Sequence, residues 1–140
     1  MLPEALNLDI VTPERRVVSM AVDEVVLPGS EGSLGVLPGH APLLTGLSVG
    51  ELVYRRANVR HYVAVAWGFA EVLPERVTIL AQIAERGEEI DRGRAEQARE
   101  RALTRLKRRD TEIDFQRAQV ALQKAVIRIQ ASSHARGEGA

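Results

Sequence analysis

ERVTILAQIAERGEEIDRGRAEQARERALTRL, residues 75–106, changes its hydrophobic period midway, and that change decides the fold. Before Gln82 the apolar residues come in strand-like runs. Beyond Glu88 the strand formers thin out, and Ala, Arg, Glu and Leu recur at helical spacing. All six prolines (Pro3, Pro13, Pro28, Pro38, Pro42, Pro74) lie before the break and punctuate short Val, Leu and Ile runs. That is how an all-β segment reads. The expected fold is an N-terminal β-sandwich of about 8–10 strands over residues 1–84. A linker at 85–90 leads to an antiparallel two-helix hairpin over 91–131, and residues 132–140 are expected to form a disordered tail.

Composition narrows the function classes. With 140 residues and 45% hydrophobic content, the chain has enough apolar surface for a real core. Cysteine is absent, which removes disulfides, thiolate metal sites and cysteine nucleophiles. The opening MLPEALNLDIV has neither a basic region nor a long apolar stretch, so no signal peptide is expected. No run approaches the roughly 18 apolar residues of a membrane span, and a soluble, cytoplasmic protein is expected. Net neutrality hides an asymmetry. Residues 1–83 carry 6 Lys+Arg against 9 Asp+Glu, and residues 84–140 carry 13 against 10. A basic appendage on an acidic base suits an acidic partner surface, although a solvated helix face explains the same charges.

The strand readings follow the alternation. Leu6, Leu8 and Ile10 form a first strand, and 16–20, 22–27, 46–49 and 51–56 read as further ones. Val59, His61, Val63, Val65 and Trp67 give the clearest period of two, and 69–73 and 76–82 flank Pro74-Glu75 as a hairpin. The chemistry of catalysis is missing from this part. Asp9, Asp23, Glu24 and Glu71 are scattered, so no carboxylate pair offers a general acid and base. His40 and His61 are isolated, and no metal-ligand spacing occurs. Ser19, Ser30, Ser33 and Ser48 sit in no nucleophile elbow. The chain is not expected to be an enzyme.

Residues 29–44, GSEGSLGVLPGHAPLL, hold four glycines, two prolines and a histidine, which marks a shaped loop system. No GK[ST] follows, so a phosphate cradle is not indicated. This segment, with GFAEVLPERVTILAQIAERGEEID at 68–91 and an Ile-Asp-x-x-Arg-Ala start to the helical part, resembles the epsilon subunit of bacterial rotary ATP synthases. The match runs from the first strand to about Ile129. The resemblance implies a non-catalytic central-stalk subunit of a proton-translocating ATP synthase. Its partners would be the gamma subunit, the ring of c subunits and the alpha/beta catalytic head, at the cytoplasmic face of the inner membrane and reaching that membrane only through the complex. It implies that the sandwich docks on gamma and the c ring, with Glu31 and nearby His40 at that contact. The hairpin would restrain wasteful ATP hydrolysis. An unrelated adaptor with the same two-part architecture is the alternative.

The hairpin is also legible from its own residues. Asp91 suits the N-cap of a first helix, on which Ala95, Ala98, Ala102 and Leu106 make one apolar stripe. Thr111 with Asp114 resembles a capping box for the second helix, whose seam is Phe115, Ala118, Leu122, Ala125 and Ile129. A buried alanine contributes about 0.8 kcal/mol against roughly 1.5–3 for leucine, so a seam rich in alanine is weak. Such a hairpin either exchanges between docked and extended forms or stays docked. Basic residues line the other faces. The resemblance directs Arg99, Arg105, Lys107, Arg108, Arg109 and Arg117 toward an acidic segment of the beta subunits. Pairing with Glu96 and Glu100 accounts for some of these cations. Acidic residues interleave with them and stacking aromatics are missing, which argues against nucleic acid.

The same resemblance implies an ATP site, with ATP as a regulatory ligand and no required cofactor. Carried over residue by residue, it comprises Glu85, Ile90, Asp91, Arg94, Ala95 and Arg101, with Lys124 and Arg128 from the second helix. No catalytic or metal residue is implied. Lysine at 124 departs from the usual arginine and lacks its bidentate fork. Gly93 loosens the first helical turn by up to about 1 kcal/mol. Asp91 as a simple cap, with Arg94 paired to a nearby carboxylate, is the competing reading.

Overall fold

The structure, a computed structural model, describes residues 2–108 and 111–137, with Ile113 described by its backbone alone. Eight strands, β1 (Leu6–Val11), β2 (Arg16–Val22), β3 (Glu24–Gly29), β4 (Gly32–Val36), β5 (Leu43–Gly46), β6 (Gly50–Arg56), β7 (Val59–Val72) and β8 (Arg76–Arg86), form the N-terminal sandwich. They hydrogen-bond in the order β2-β1-β8-β7-β6-β3-β4, with β5 also on β7. The β1–β8 pair is parallel and the other pairs are antiparallel. A one-turn 3₁₀ helix, Gly87–Glu89, leads into α1 (Arg92–Arg108) and α2 (Glu112–Ala135).

The expected strands at 59–67 and 69–73 are one strand, β7, bent at Trp67-Gly68. Both residues have positive φ, 54° and 120°. Before the bend the far edge of β7 pairs with β6, and after it with β5. The residues facing the core change parity across the bend, from Val63 and Val65 to Ala70 and Val72. On β8 they change from Val77, Ile79 and Ala81 to Ala84. A period of two read straight through 59–67 therefore misassigns its ends: Val59 is exposed, and His61 is half-buried with its ring stacked on Tyr54 at 4.8 Å. Gly68 is required at the bend. A Cβ there would overlap the Leu80 carbonyl, at a φ that disfavours any other residue.

Other expectations shift by a few residues. The strand expected at 46–49 is β5, ending at Gly46, and Leu47 only bridges to Gly29 while donating its N–H to the Gly68 carbonyl at 2.9 Å. The run 22–27 breaks at Asp23, whose Oδ2 accepts the Ala57 N–H at 2.7 Å. The loop system at 29–44 contains β4 and the start of β5.

The two helices start where their caps predict. Asp91 Oδ1 accepts the Arg94 N–H at 3.2 Å, and Thr111 Oγ1 accepts that of Asp114 at 3.0 Å. Ala95, Ala102, Ala118 and Ala125 are all at most 2% exposed along the seam, and α1 and α2 pack on each other. The main contacts of the hairpin with the sandwich come from α2, against β6, β7, β8 and the 3₁₀ turn. The disorder expected from 132 is overturned for residues 132–135. They continue α2 to Ala135, with Ala131 buried against Ala64 and Ile90 and Ser132 fully buried. Residues 138–140 lie outside the described residues.

The expected linker is also more ordered than a spacer. β8 runs on to Arg86, and Glu89 in the 3₁₀ turn is clamped to the sandwich. Arg15, after β1, donates from Nη1 and Nη2 to the two Glu89 oxygens at 3.3 and 2.7 Å, and Arg86 Nε donates at 2.8 Å. Hydrogen bonding by Arg15, reinforced by Arg86, lowers the Glu89 pKa to about 2, against desolvation that opposes the shift.

Two predictions follow from this architecture. Gly68→Ala should destabilise the sandwich by about 2–4 kcal/mol, read as a lower urea midpoint by the fluorescence of Trp67, the single tryptophan. Glu89 is depressed, so its stabilisation is full above an unfolded pKa near 4.5 and is lost as pH falls toward about 2. The pair is partly exposed, which limits the effect to about 1 kcal/mol. Thermal melts of the protein and of Glu89→Gln should therefore differ at pH 6 and converge as the pH is lowered through that window.

Candidate functional site

A cleft opens where the end of β8, the start of α1 and the middle of α2 meet. It is lined by Glu85, Ile90, Asp91, Arg94, Ala95, Gln97, Ala98, Arg101 and Arg128, around about 770 Å³ of space partly open to solvent. Local structure explains how these residues converge. The capping geometry of Asp91 starts α1 so that positions 91, 94, 95, 98 and 101 follow one helix face. Arg128 reaches from α2 and donates from Nε and Nη2 to Glu85 Oε1, both at 2.7 Å. Ile90 is buried at the root, packed with Ala64 and Ala131.

Seven of the eight residues expected at the nucleotide site thus line one cleft. Gln97 and Ala98 join them, and their signal was the helical phase of Asp91, Arg94 and Arg101, which was not extended to its neighbours. Lys124 does not join. Its Nζ sits 4.7 Å from the centroid of the Trp67 ring, over the bend in β7. One turn before Arg128, it lines an adjoining groove with Trp67, Gln116, Arg117, Val120 and Ala121.

The electrostatics of the cleft are uneven. Arg128 is neutralised by Glu85, whereas the Arg94 and Arg101 guanidinium groups have no ion pair among the described residues. Two such donors beside an exposed helix start favour an anion, and Glu85 and Asp91 supply acceptors for amino groups. The competing reading, Arg94 paired to a nearby carboxylate, is not what the geometry shows. Asp91 does act as the helix cap.

The other expected contacts fall elsewhere. Glu31 is exposed in the tight connection between β3 and β4. His40 follows the opposite end of β4, with Nδ1 2.7 Å from the Ala41 carbonyl oxygen. Five extended residues separate the two ends by about 16 Å, so they are not neighbours along β4. Arg105, Lys107 and Arg108 are exposed in the last turns of α1, where cations favour the helix C-terminus. Arg99 lies 3.7 Å from Glu100, and Arg117 is exposed near the start of α2. Arg109 lies outside the described residues.

The sequence reading gave no weight to an exposed apolar patch on the sandwich. Phe69 on β7 and Leu80 on β8 are cross-strand partners, 60% and 55% exposed, and Leu44 on neighbouring β5 is 69% exposed. These three residues lie beyond the bend at Gly68, whereas Tyr62 and Ala64, which pack with α2, lie before it. No helix among the described residues is long and apolar enough to cross a membrane.

Comparison with known proteins agrees with both halves of this architecture. Residues 5–87 match the family model for the ATP synthase delta/epsilon chain β-sandwich domain, and residues 88–133 match that for its long α-helix domain. The chain is 51% identical over 105 residues to the ATP synthase epsilon chain of Koribacter versatilis (strain Ellin345), covering 75% of this chain and 74% of that one. It is 55% identical over 105 residues to the epsilon chain of Syntrophobacter fumaroxidans, covering 75% and 78%. Among solved structures it superposes on a chain of the Euglena gracilis mitochondrial ATP synthase (OSCP/F1/c-ring) with a TM-score of 0.82. That likeness covers 96% of this chain and 84% of the other at 23% identity, and is a likeness of fold. With matched models spanning the sandwich and the hairpin in order, the chain belongs to the ATP synthase delta/epsilon family.

Proposed function

We infer that this chain works as a non-catalytic subunit in the central stalk of a rotary ATP synthase, coupling ring rotation to the catalytic head and restraining ATP hydrolysis. The observation that carries this reading is the pairing of a self-contained sandwich with a hairpin that packs on it mainly through one helix. The sandwich core is built from residues 6–84 without help from the helices. The hairpin rests on it through α2.

Each part then has a partner. The exposed patch of Leu44, Phe69 and Leu80 offers apolar area to the gamma subunit, and the turn at Glu31 offers a carboxylate to the polar loops of the c ring. Arg99, Arg105, Lys107, Arg108, Arg109 and Arg117 supply positive charge to an acidic segment of the catalytic head once the hairpin extends. Membrane association runs through the complex at its cytoplasmic face, and proton flow supplies the torque.

The cleft supports ATP as a regulatory ligand. Arg94 and Arg101 meet the phosphates, and Arg128 joins them by leaving Glu85. Glu85 and Asp91 then accept from the adenine amino group, and Ile90 and Ala95 supply the apolar wall. The cleft draws residues from the sandwich and from both helices, so a bound nucleotide stabilises the docked hairpin.

Titration of an alpha–beta–gamma core should show inhibition of ATP hydrolysis by the full chain and binding without inhibition by a chain ending at Glu89. Inhibition should fade with added salt, as expected for several exposed cations. Failure of both chains to bind would remove the stalk role. Calorimetry should detect ATP binding to the full chain, weakened about tenfold or more by Arg94→Ala. Equal affinity of the two proteins would move the nucleotide out of this cleft.

A further inference from the structure

The last turn of α2 is built into the sandwich in a way that the nucleotide cleft does not require. Gly87 is buried in the 3₁₀ turn, and a Cβ on it would overlap the Ala131 carbonyl oxygen and stand 2.8 Å from the Ala135 Cβ. The two backbones meet there because neither side carries bulk. One turn on, His134 Nδ1 lies 2.8 and 3.0 Å from the two oxygens of Glu51, a carboxylate side chain only 9% exposed. Gln130 Nε2 donates to the same carboxylate at 3.4 Å, and the His134 ring rests on Tyr62 at 4.8 Å. Glu51 belongs to β6 and Tyr62 to β7, so the contact spans two strands.

One polar group in this turn is buried without a partner. Ser132 is fully buried, and its Oγ has no hydrogen-bond partner among the described residues. An unpaired buried hydroxyl favours the state in which water reaches it. We propose that the last turn of α2, seated on Gly87 and tied through His134 to Glu51, is a latch that holds the hairpin down, with the Ser132 hydroxyl setting how readily it opens. α1 packs on α2, so opening the latch frees both helices. The regulatory part of this proposal rests on the reading of the hairpin as a mobile brake, while the latch itself does not.

The test is hydrogen–deuterium exchange on the full chain, read separately for the helices and for β6, β7 and β8. His134→Ala removes the donor to a nearly buried carboxylate and should speed exchange in α1 and α2 about tenfold or more, leaving the strands unchanged. Gly87→Ala should do the same by wedging the turn off. Ser132→Ala should slow helix exchange, because it removes the unpaired hydroxyl at little change in volume. Unchanged helix exchange in both His134→Ala and Ser132→Ala would overturn the latch. So would a rise in His134→Ala that is equal in helices and strands. If Gly87→Ala loosens the sandwich as well, the other two variants decide. Reconstitution separates the latch from the brake: opened variants should inhibit hydrolysis more strongly. Selective opening without added inhibition keeps the latch and removes the braking role.

Discussion

The bend of β7 at Trp67-Gly68 is the constraint on which the other features rest. A strand of 14 residues cannot keep one face on a small core unless it changes direction, and the positive φ values at the bend make that change. Across it the inward face passes from odd to even positions. The outward face is thereby divided in two. One half, with Tyr62, Ala64 and Ala66, receives α2, and the other, with Phe69 beside Leu80, stays bare. Without the missing side chain at Gly68, β8 could not run alongside the bent strand, and both surfaces would be lost together.

Docking of the hairpin is a sum of small contributions. Ile90 is the large aliphatic side chain buried at the junction, worth about 1.5–3 kcal/mol, and Ala64 and Ala131 add roughly a methyl group each. Arg128–Glu85, with Lys124 on Trp67, provides position more than strength, since both sides of that pair are partly exposed, whereas the His134–Glu51 tie ends on a nearly buried carboxylate and holds more firmly. The seam between the helices is similarly thin. The hairpin is therefore held by many weak contacts spread along α2, each of which a ligand or a partner is able to outbid.

Much of the architecture was legible because local signals agreed with the tertiary result. Asp91 and Thr111 cap the helices that their positions announce, and the alanine stripes pack as their spacing requires. The cleft at the start of α1 was legible through a motif whose residues share one helix face. Failures came where a side chain's neighbours lie far away in sequence. The alternation from Val59 to Trp67 conceals the parity change, which depends on the Leu80 carbonyl. Lys124 points to an aromatic ring 57 positions earlier rather than to the cleft. SSHA at 132–135 has the composition of a tail, yet it is helical because Gly87 lets it approach and Glu51 receives His134.

The clamp on Glu89 has a kinematic consequence. Arg15 and Arg86 make the 3₁₀ turn part of the sandwich body, while α1 is regular helix from Arg92 onward. Any swing of the hairpin that leaves this clamp closed must be taken up by the backbone dihedrals of Ile90 and Asp91. So short a pivot behaves as a joint with few degrees of freedom, and the helices sweep along a restricted arc instead of exploring space as a tethered pair. Ile90 leaves its apolar pocket on the same rotation, so the axle and the first lost contact are one residue.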